Sequence, residues 1–296
     1  MSGLRSLVNH VLLIMVNSMR LRPAILLLAA LCVPTGAVAQ NPAPPAASTK
    51  PAHIEDNSFL VEEAYNQEYG VVQHIQTFTR FWNSKDWVYT FTQEWPVNPA
   101  PKHQLSYTIT GLGSSGSGGG LGDTGLNYRY QVFRTEHLAF APRVSFLAPT
   151  GDSRLGRGSG GAGVQFMLPF STVLHPKIVA HWNVGATLIP NAKNPAGDRA
   201  AVHGYNFGQS FIYLAHPRFN LMLESVFNSS EEVLSPQQTR RENSAFVSPG
   251  FRWAYNFKNG LQIVPGVGVP IGVGSSQGEV GAVFYLSFEH PFGKRK

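Results

Sequence analysis

Ser244-Ala245-Phe246-Val247-Ser248-Pro249-Gly250-Phe251-Arg252-Trp253-Ala254-Tyr255-Asn256-Phe257 is the stretch from which the fold is read. A β-strand sends successive side chains to opposite faces. Ala245, Val247, Pro249, Phe251, Trp253, Tyr255 and Phe257 therefore share one face, and Ser244, Ser248, Gly250, Arg252, Ala254 and Asn256 share the other. One face suits hydrocarbon and the other suits water. The pattern of roughly ten alternating residues and a turn recurs about twelve times between Val71 and Phe292.

A soluble sandwich also alternates, so the connections decide between a core and a bilayer. Taking the first strand as outgoing, the even-numbered connections are short: Asn98 to His103, Arg134 to His137, His175 to Lys177, His216 to Arg218 and Lys258 to Gly260. Four of the others are long: Thr110 to Asp123, Pro149 to Gly161, Pro190 to His203 and Asn228 to Asn243; Asn83 to Asp86 and Gly274 to Gly278 are tight. Short turns at one end and long loops at the other mark an outer-membrane barrel with periplasmic turns and outside loops. The predicted strands are 71–82, 86–97, 103–110, 123–133, 137–148, 161–174, 176–189, 203–215, 217–228, 244–257, 261–273 and 278–292. An even number returns both ends to the periplasmic side.

Composition agrees. With 14% charged residues, 11% aromatics and a mean hydropathy of −0.08, the chain averages a greasy exterior with a wet interior. Residues 1–39 read as a signal peptide: Arg20 and Arg22 are the positive region, Ala24 to Val33 the apolar core, and Ala37-Val38-Ala39 the cleavage site. Met19 is a plausible true start, with 1–18 an upstream extension. Neither Val11 to Val16 nor Ala24 to Val33 reaches the ~18 apolar residues of a spanning helix. Cys32, the one cysteine, leaves with the leader, so no thiol chemistry is expected. Three arginines and no acid leave with it, and Lys294, Arg295 and Lys296 hold three more positive charges. The remaining 17 of the 23 basic residues match the 17 acidic ones, so no nucleic-acid partner is expected.

Residues 40–70 read as a periplasmic linker, rich in Pro and Ala over Gln40 to Pro51, and a short acidic helix over Phe59 to Tyr65 capped by Asp56-Asn57-Ser58. Glu62, Glu63 and, just beyond, Glu68 lie either on an exposed surface or on a plug paired with lumenal arginines. Residues 71–292 form the barrel and 293–296 a basic tail. Pro142, Pro169, Pro249, Pro265 and Pro270 fall inside strands, where bulges are expected. Trp82 and Trp87 flank the first hairpin tip, Trp95 lies at the opposite end of its strand, and Trp253 and Tyr255 approach the periplasmic side, as interfacial girdles require.

Leu121-Gly122-Asp123-Thr124-Gly125-Leu126-Asn127-Tyr128-Arg129-Tyr130, Leu138 to Phe146 and Ala148-Pro149-Thr150-Gly151-Asp152 carry a resemblance. This stretch resembles the outer-membrane family named for the meta-pathway of phenol degradation, in which a Gly-Asp strand opening, a basic residue beside Tyr and a strand ending in Pro-Thr-Gly-Asp follow one another. The Gly-rich Gly158 to Gly163 fits as well, and the last strand, ending at Phe292, resembles an outer-membrane assembly signal. The likeness is clearest over 120–190. It implies an outer-membrane channel for small solutes, hydrophobic or aromatic compounds among them, and brings no catalytic or binding residues.

Alternation places Glu94, Arg129, Arg143, Lys177, His181, Glu224, Arg252 and Glu289 in the lumen. Arg129 with Arg143, and Glu224 with Arg252, fall on neighbouring strands. They either fill the interior as an ion-pair network or tune a constriction. His103, His137, His175 and His216 fall at short turns, with His290 near; nothing there has metal-ligand spacing. Gly111 to Gly116 matches G-x-G-x-x-G without a following helix, and no strand-to-helix G-x-S-x-G elbow or H-E-x-x-H arises. The expectation is an all-β, single antiparallel transmembrane barrel of about twelve strands in the Gram-negative outer membrane. It would act by passive diffusion, with no enzyme activity and no cofactor. Its partners would be outer-membrane lipid, the assembly machinery and a small-molecule solute. A closed structural or adhesive barrel acting through its outside loops, and a barrel hydrolase, are the alternatives.

Overall fold

The computed structural model describes residues 54–97, 99–115 and 118–292. The leader, most of the Pro/Ala-rich linker and the tail at 293–296 lie outside them. Within them the alternation becomes one closed sheet, whose segments join into twelve antiparallel strands. They are β1 (Val71–Phe81), β2 (Trp87–Pro96), β3 (His103–Ser114), β4 (Gly118–Leu121, Thr124–Tyr130 and Phe133–Arg134), β5 (Leu138–Phe140 and Arg143–Ala148) and β6 (Gly163–His175). The second half comprises β7 (Ile178–Lys193), β8 (Arg199–His216), β9 (Phe219–Ser235), β10 (Gln238–Trp253 and Tyr255–Asn256), β11 (Gln262–Gly268 and Ile271–Gly272) and β12 (Gly281–Pro291). β1 pairs with β12, from Val71 opposite Pro291 to Phe81 opposite Gly281, so the sheet has no free edge.

The two faces are sorted as the period of two requires. Leu126, Phe146, Phe166, Leu168, Phe207, Leu223 and Phe284 are exposed on the outside, Phe166 by 54%. Gln73, Ser145, His181, Asn183, Ser210, Ser248 and Ser287 are buried on the inside. That inversion of a soluble protein is the arrangement a bilayer selects, because every backbone group is paired within the barrel. Phe246 is the departure on β10: it faces inward and packs on Phe81, ring centroids 5.2 Å apart.

Two of the long connections turn out to be strand. β7 and β8 run on to Lys193 and Arg199, and β9 and β10 to Ser235 and Gln238. An 18-residue strand such as β8 rises about 40 Å even at a 45° tilt, beyond the ~25 Å apolar band, so these hairpins stand clear of it. The 149–161 connection folds down instead. Gly151 N donates to Asp123 Oδ1 at 3.0 Å, and Ser159 N and Oγ donate to Oδ2 at 2.7 and 2.6 Å. A Cβ on Gly158 would come within 2.5 Å of Asp123 Oδ1. The Gly-Asp and Pro-Thr-Gly stretches thus serve a loop clamp.

The prolines are accommodated by interruptions and not by the expected bulges. Pro142 breaks β5, and Pro169 on β6 lies across that break, accepting Ala141 N at 3.2 Å. Pro270 breaks β11, and Pro249 on β10 lies across it, accepting Val269 N at 2.9 Å. The register shifts fall elsewhere, as between Ile189 and Ala192. A proline lacks only a donor, so placing it opposite a gap leaves no acceptor facing a missing N–H.

The short helix expected over Phe59 to Tyr65 does not form. Residues 54–67 form neither helix nor strand and lie in the short-turn half of the lumen, bending at 59–61, where Ser58 N donates to the Val61 carbonyl at 3.1 Å and Glu63 N to Asn57 Oδ1 at 2.9 Å. The N–H groups of Leu60, Glu62, Ala64, Asn66 and Gln67 bond to the wall, which removes the donors a helix would use.

Candidate functional site

The segment follows the inner wall from strand to strand. Leu60 N donates to Glu224 Oε1 on β9 (2.9 Å), Glu62 N to Asn183 Oδ1 on β7 (2.7 Å), and Ala64 N to Ser171 Oγ on β6 (2.8 Å). Asn66 N then donates to Gln131 Oε1 in the break of β4 (2.9 Å) and Gln67 N to Gln104 Oε1 on β3 (2.7 Å). Residues 60, 62, 64 and 66 are alternate positions, and their four N–H groups meet four wall acceptors in succession. Asn183 and Gln131 return bonds to the carbonyls of Glu62 (2.9 Å) and Ala64 (2.8 Å). Each amide side chain thereby copies the two-bond pairing of a neighbouring strand.

The start of the segment is held more firmly. Arg252, 1% exposed, donates through Nη1 to the carbonyls of Asp56 (2.8 Å) and Asn57 (2.6 Å). The Asp56 carboxylate accepts from Tyr285 Oη (2.7 Å), Gln73 Nε2 (2.7 Å) and Ser287 Oγ. Ser58 Oγ reaches Ser210 Oγ at 2.8 Å. Phe59 lies on Tyr285, centroids 5.2 Å apart, over a patch bare of side chains: Gly250, Gly266 and Gly268. A Cβ on Gly250 would stand 2.7 Å from the ring.

Glu62 is the charged centre. Its carboxylate takes Arg143 through Nε (3.0 Å) and Nη2 (2.5 Å) and Arg129 through Nη2 (3.1 Å). Arg129 also lies 3.7 Å from Glu94, which accepts from Gln104 Nε2 at 2.7 Å. Arg143 is further fixed by Asn127 Oδ1 and Gln165 Oε1, both at 3.1 Å. Such a fork onto a carboxylate is the strong form of an ion pair. The cluster borders a cavity of about 260 Å³, whose other walls include Thr92, Thr108, Phe59, Leu60 and Ile75. A second cavity of about 270 Å³ shares Leu60, Glu62 and Arg143 and runs toward Phe246.

Of the residues assigned to the lumen by alternation, Glu94, Arg129, Arg143, His181, Glu224, Arg252 and Glu289 face it. Lys177 does not: it is exposed in the turn after β6, where its N–H donates to His175 Nδ1 at 3.2 Å. Glu224 and Arg252 each bind the segment instead of one another. Glu62 and Glu63 lie inside, whereas Glu68 is exposed at the turn leading into β1. His181 contacts Ser171 Oγ at 2.7 Å. His216 accepts Arg218 N at 3.2 Å, repeating the His175 cap, and His103 Nδ1 lies 2.7 Å from Tyr128 Oη. No cluster of three potential metal ligands occurs among the described residues. The neutral side chains Asn183, Ser171, Gln131, Gln104 and Ser210 were missed. Their signal is inward parity, which neutral and charged positions share.

No family model matches the chain, and no curated protein matches its sequence. Solved structures do. An outer membrane channel from Pseudomonas putida F1 superposes with a TM-score of 0.61 at 13% identity, over 76% of this chain and 97% of that one. The NanC porin gives a TM-score of 0.49 at 9% identity, over 73% of this chain and 98% of that one. The barrel fold is thus one that a solved outer membrane channel shares.

Proposed function

We propose that this chain is an outer-membrane channel for passive diffusion of small solutes, with its short-turn end in the periplasm and residues 54–67 as a plug in that half of the lumen. One observation carries the reading: inward polar side chains on β6, β7 and β9 and in the break of β4 bind a separate run of backbone. A purely structural interior would pair its wall residues across the barrel, as narrow barrels do. Here Glu224, Asn183, Ser171 and Gln131 are turned to a chain that could leave without breaking a single ladder bond. Glu62, on the plug, joins Glu94, Arg129 and Arg143 in the polar stretch that would set selectivity. The resemblance to the phenol meta-pathway family supports small hydrophobic or aromatic solutes.

The test is a lock. Ser58→Cys with Ser210→Cys, placed where the two hydroxyls are 2.8 Å apart, should give a disulfide pinning the plug to β8. Reduced protein in a planar bilayer should show discrete conductance steps and oxidised protein none. Membranes equally silent in both states, with the barrel folded, would overturn the reading.

A further inference from the structure

Three properties of the Glu62 cluster point beyond an ion pair that closes a channel. The first is charge. The carboxylates within 4 Å of Arg129 and Arg143 are Glu62 and Glu94, two against two. Glu94 belongs to the wall. Glu62 belongs to the segment. Were the segment to withdraw, two guanidinium charges would face the single carboxylate of Glu94, and Asn127 and Gln165 could offer the second one dipoles but no counter-charge.

The second is access. Glu62 is 28% exposed, far more than either arginine, and that exposure is toward the cavity of about 260 Å³. The third is shape. Around the guanidiniums stand Thr92, Thr108 and Asn127, while Phe59, Leu60 and Ile75 supply an apolar side. A charged head with an apolar body fits both.

We infer that Arg129 and Arg143 form a binding site for a small organic monocarboxylate, which the Glu62 side chain occupies as an internal stand-in. This rests on the channel reading for its role in transport. The exchange conserves charge: one carboxylate replaces another, and the arginines stay neutralised throughout. It also couples occupancy to the plug, because the incoming anion removes the ion pair that holds residue 62. A tethered carboxylate competes at an effective concentration on the order of millimolar or higher. A free carboxylate therefore displaces it only with help from an apolar body in the cavity.

Benzoate and its uncharged isostere benzamide test this on the purified, detergent-solubilised full chain by titration calorimetry. Wild-type protein should bind benzoate weakly and saturably, Glu62→Gln should bind it at least tenfold more tightly, and adding Arg143→Gln should undo that gain. Benzamide should follow none of these changes. Should a variant fail to fold, wild-type protein suffices: saturating benzoate should speed hydrogen exchange at the amides of 60, 62 and 64, and benzamide should not. Equal benzoate affinity with and without Glu62, or exchange unmoved by benzoate, would overturn the site. Bilayer recordings of the same preparations separate the two readings. Conductance with Glu62-insensitive benzoate binding removes this inference and keeps the channel; silent membranes with Glu62-sensitive binding do the reverse.

Discussion

The two halves of the lumen use the same inward positions in opposite ways. Toward the short turns they carry Gln73, Glu94, Gln104, Arg129, His181, Asn183, Glu224 and Arg252, and residues 54–67 fill the space between them. Toward the long loops Leu147, Ile189, Ala192 and Val202 form one apolar cluster, Val88 and Leu112 another, and Phe81 meets Phe246. The wall carries its amide and charged acceptors where a second backbone must be satisfied, beside an apolar cluster of Ile75, Val179, Ile212 and Met222 under Phe59. Toward the loops the apolar clusters pack wall residue on wall residue. Bonds to backbone are each worth about 0.5–1.5 kcal/mol net, so the first half is held by many separable contacts. The second half is held by packing that the barrel cannot shed without distortion.

This contrast can be broken at its strongest point. Arg252→Met leaves the carbonyls of Asp56 and Asn57 without their charged donor, and losing a hydrogen bond to a charged group costs about 1.5–3 kcal/mol. Hydrogen exchange at residues 58–67 should rise by orders of magnitude while the amides of β7 to β9 hardly change. Uniform acceleration across the barrel would instead show that the two halves stand or fall together.

A smaller effect sharpens the other side. Ile189→Ala removes most of a fully buried side chain and should lower unfolding stability by about 2–4 kcal/mol, measured by heat-dependent gel mobility, with exchange in the plug unchanged. The smallest effect sits at the first hairpin tip. Burial pushes the Asp86 carboxyl up from 3.8 to about 6, the Ser84 hydrogen bond opposing and Glu279 adding to it. Because the folded state holds this proton more tightly, its stabilisation is whole below pH 3.8 and lost as pH rises through 6. Asp86→Asn should flatten that change and raise the neutral-pH melting temperature by about 1–2 °C.

Much of the barrel was legible because a strand's period is short and local. The inward side of β10 follows from counting by twos from Ser244, and the sorted loop lengths follow from closure. Legibility failed where a partner lay far along the chain. Lys177 obeyed the same count, yet it falls in the turn after His175, where alternation stops. Asp56-Asn57-Ser58 reads locally as a helix cap, but Asp56 instead meets Tyr285, and Asn57 offers its carbonyl to Arg252 on β10. Gly250, Gly266 and Gly268 prove to be the floor under Phe59.

From the sequence alone came the closed antiparallel barrel and the identity of its faces, because strand periodicity and the solvation of two unlike surfaces are written residue by residue. Only the tertiary structure decided that residues 54–67 lie within it, and that Glu62 sits between Arg129 and Arg143. A segment with no periodic pattern of its own takes its conformation from whatever satisfies its backbone, and those acceptors stand from 37 residues away, at Gln104, to 164, at Glu224.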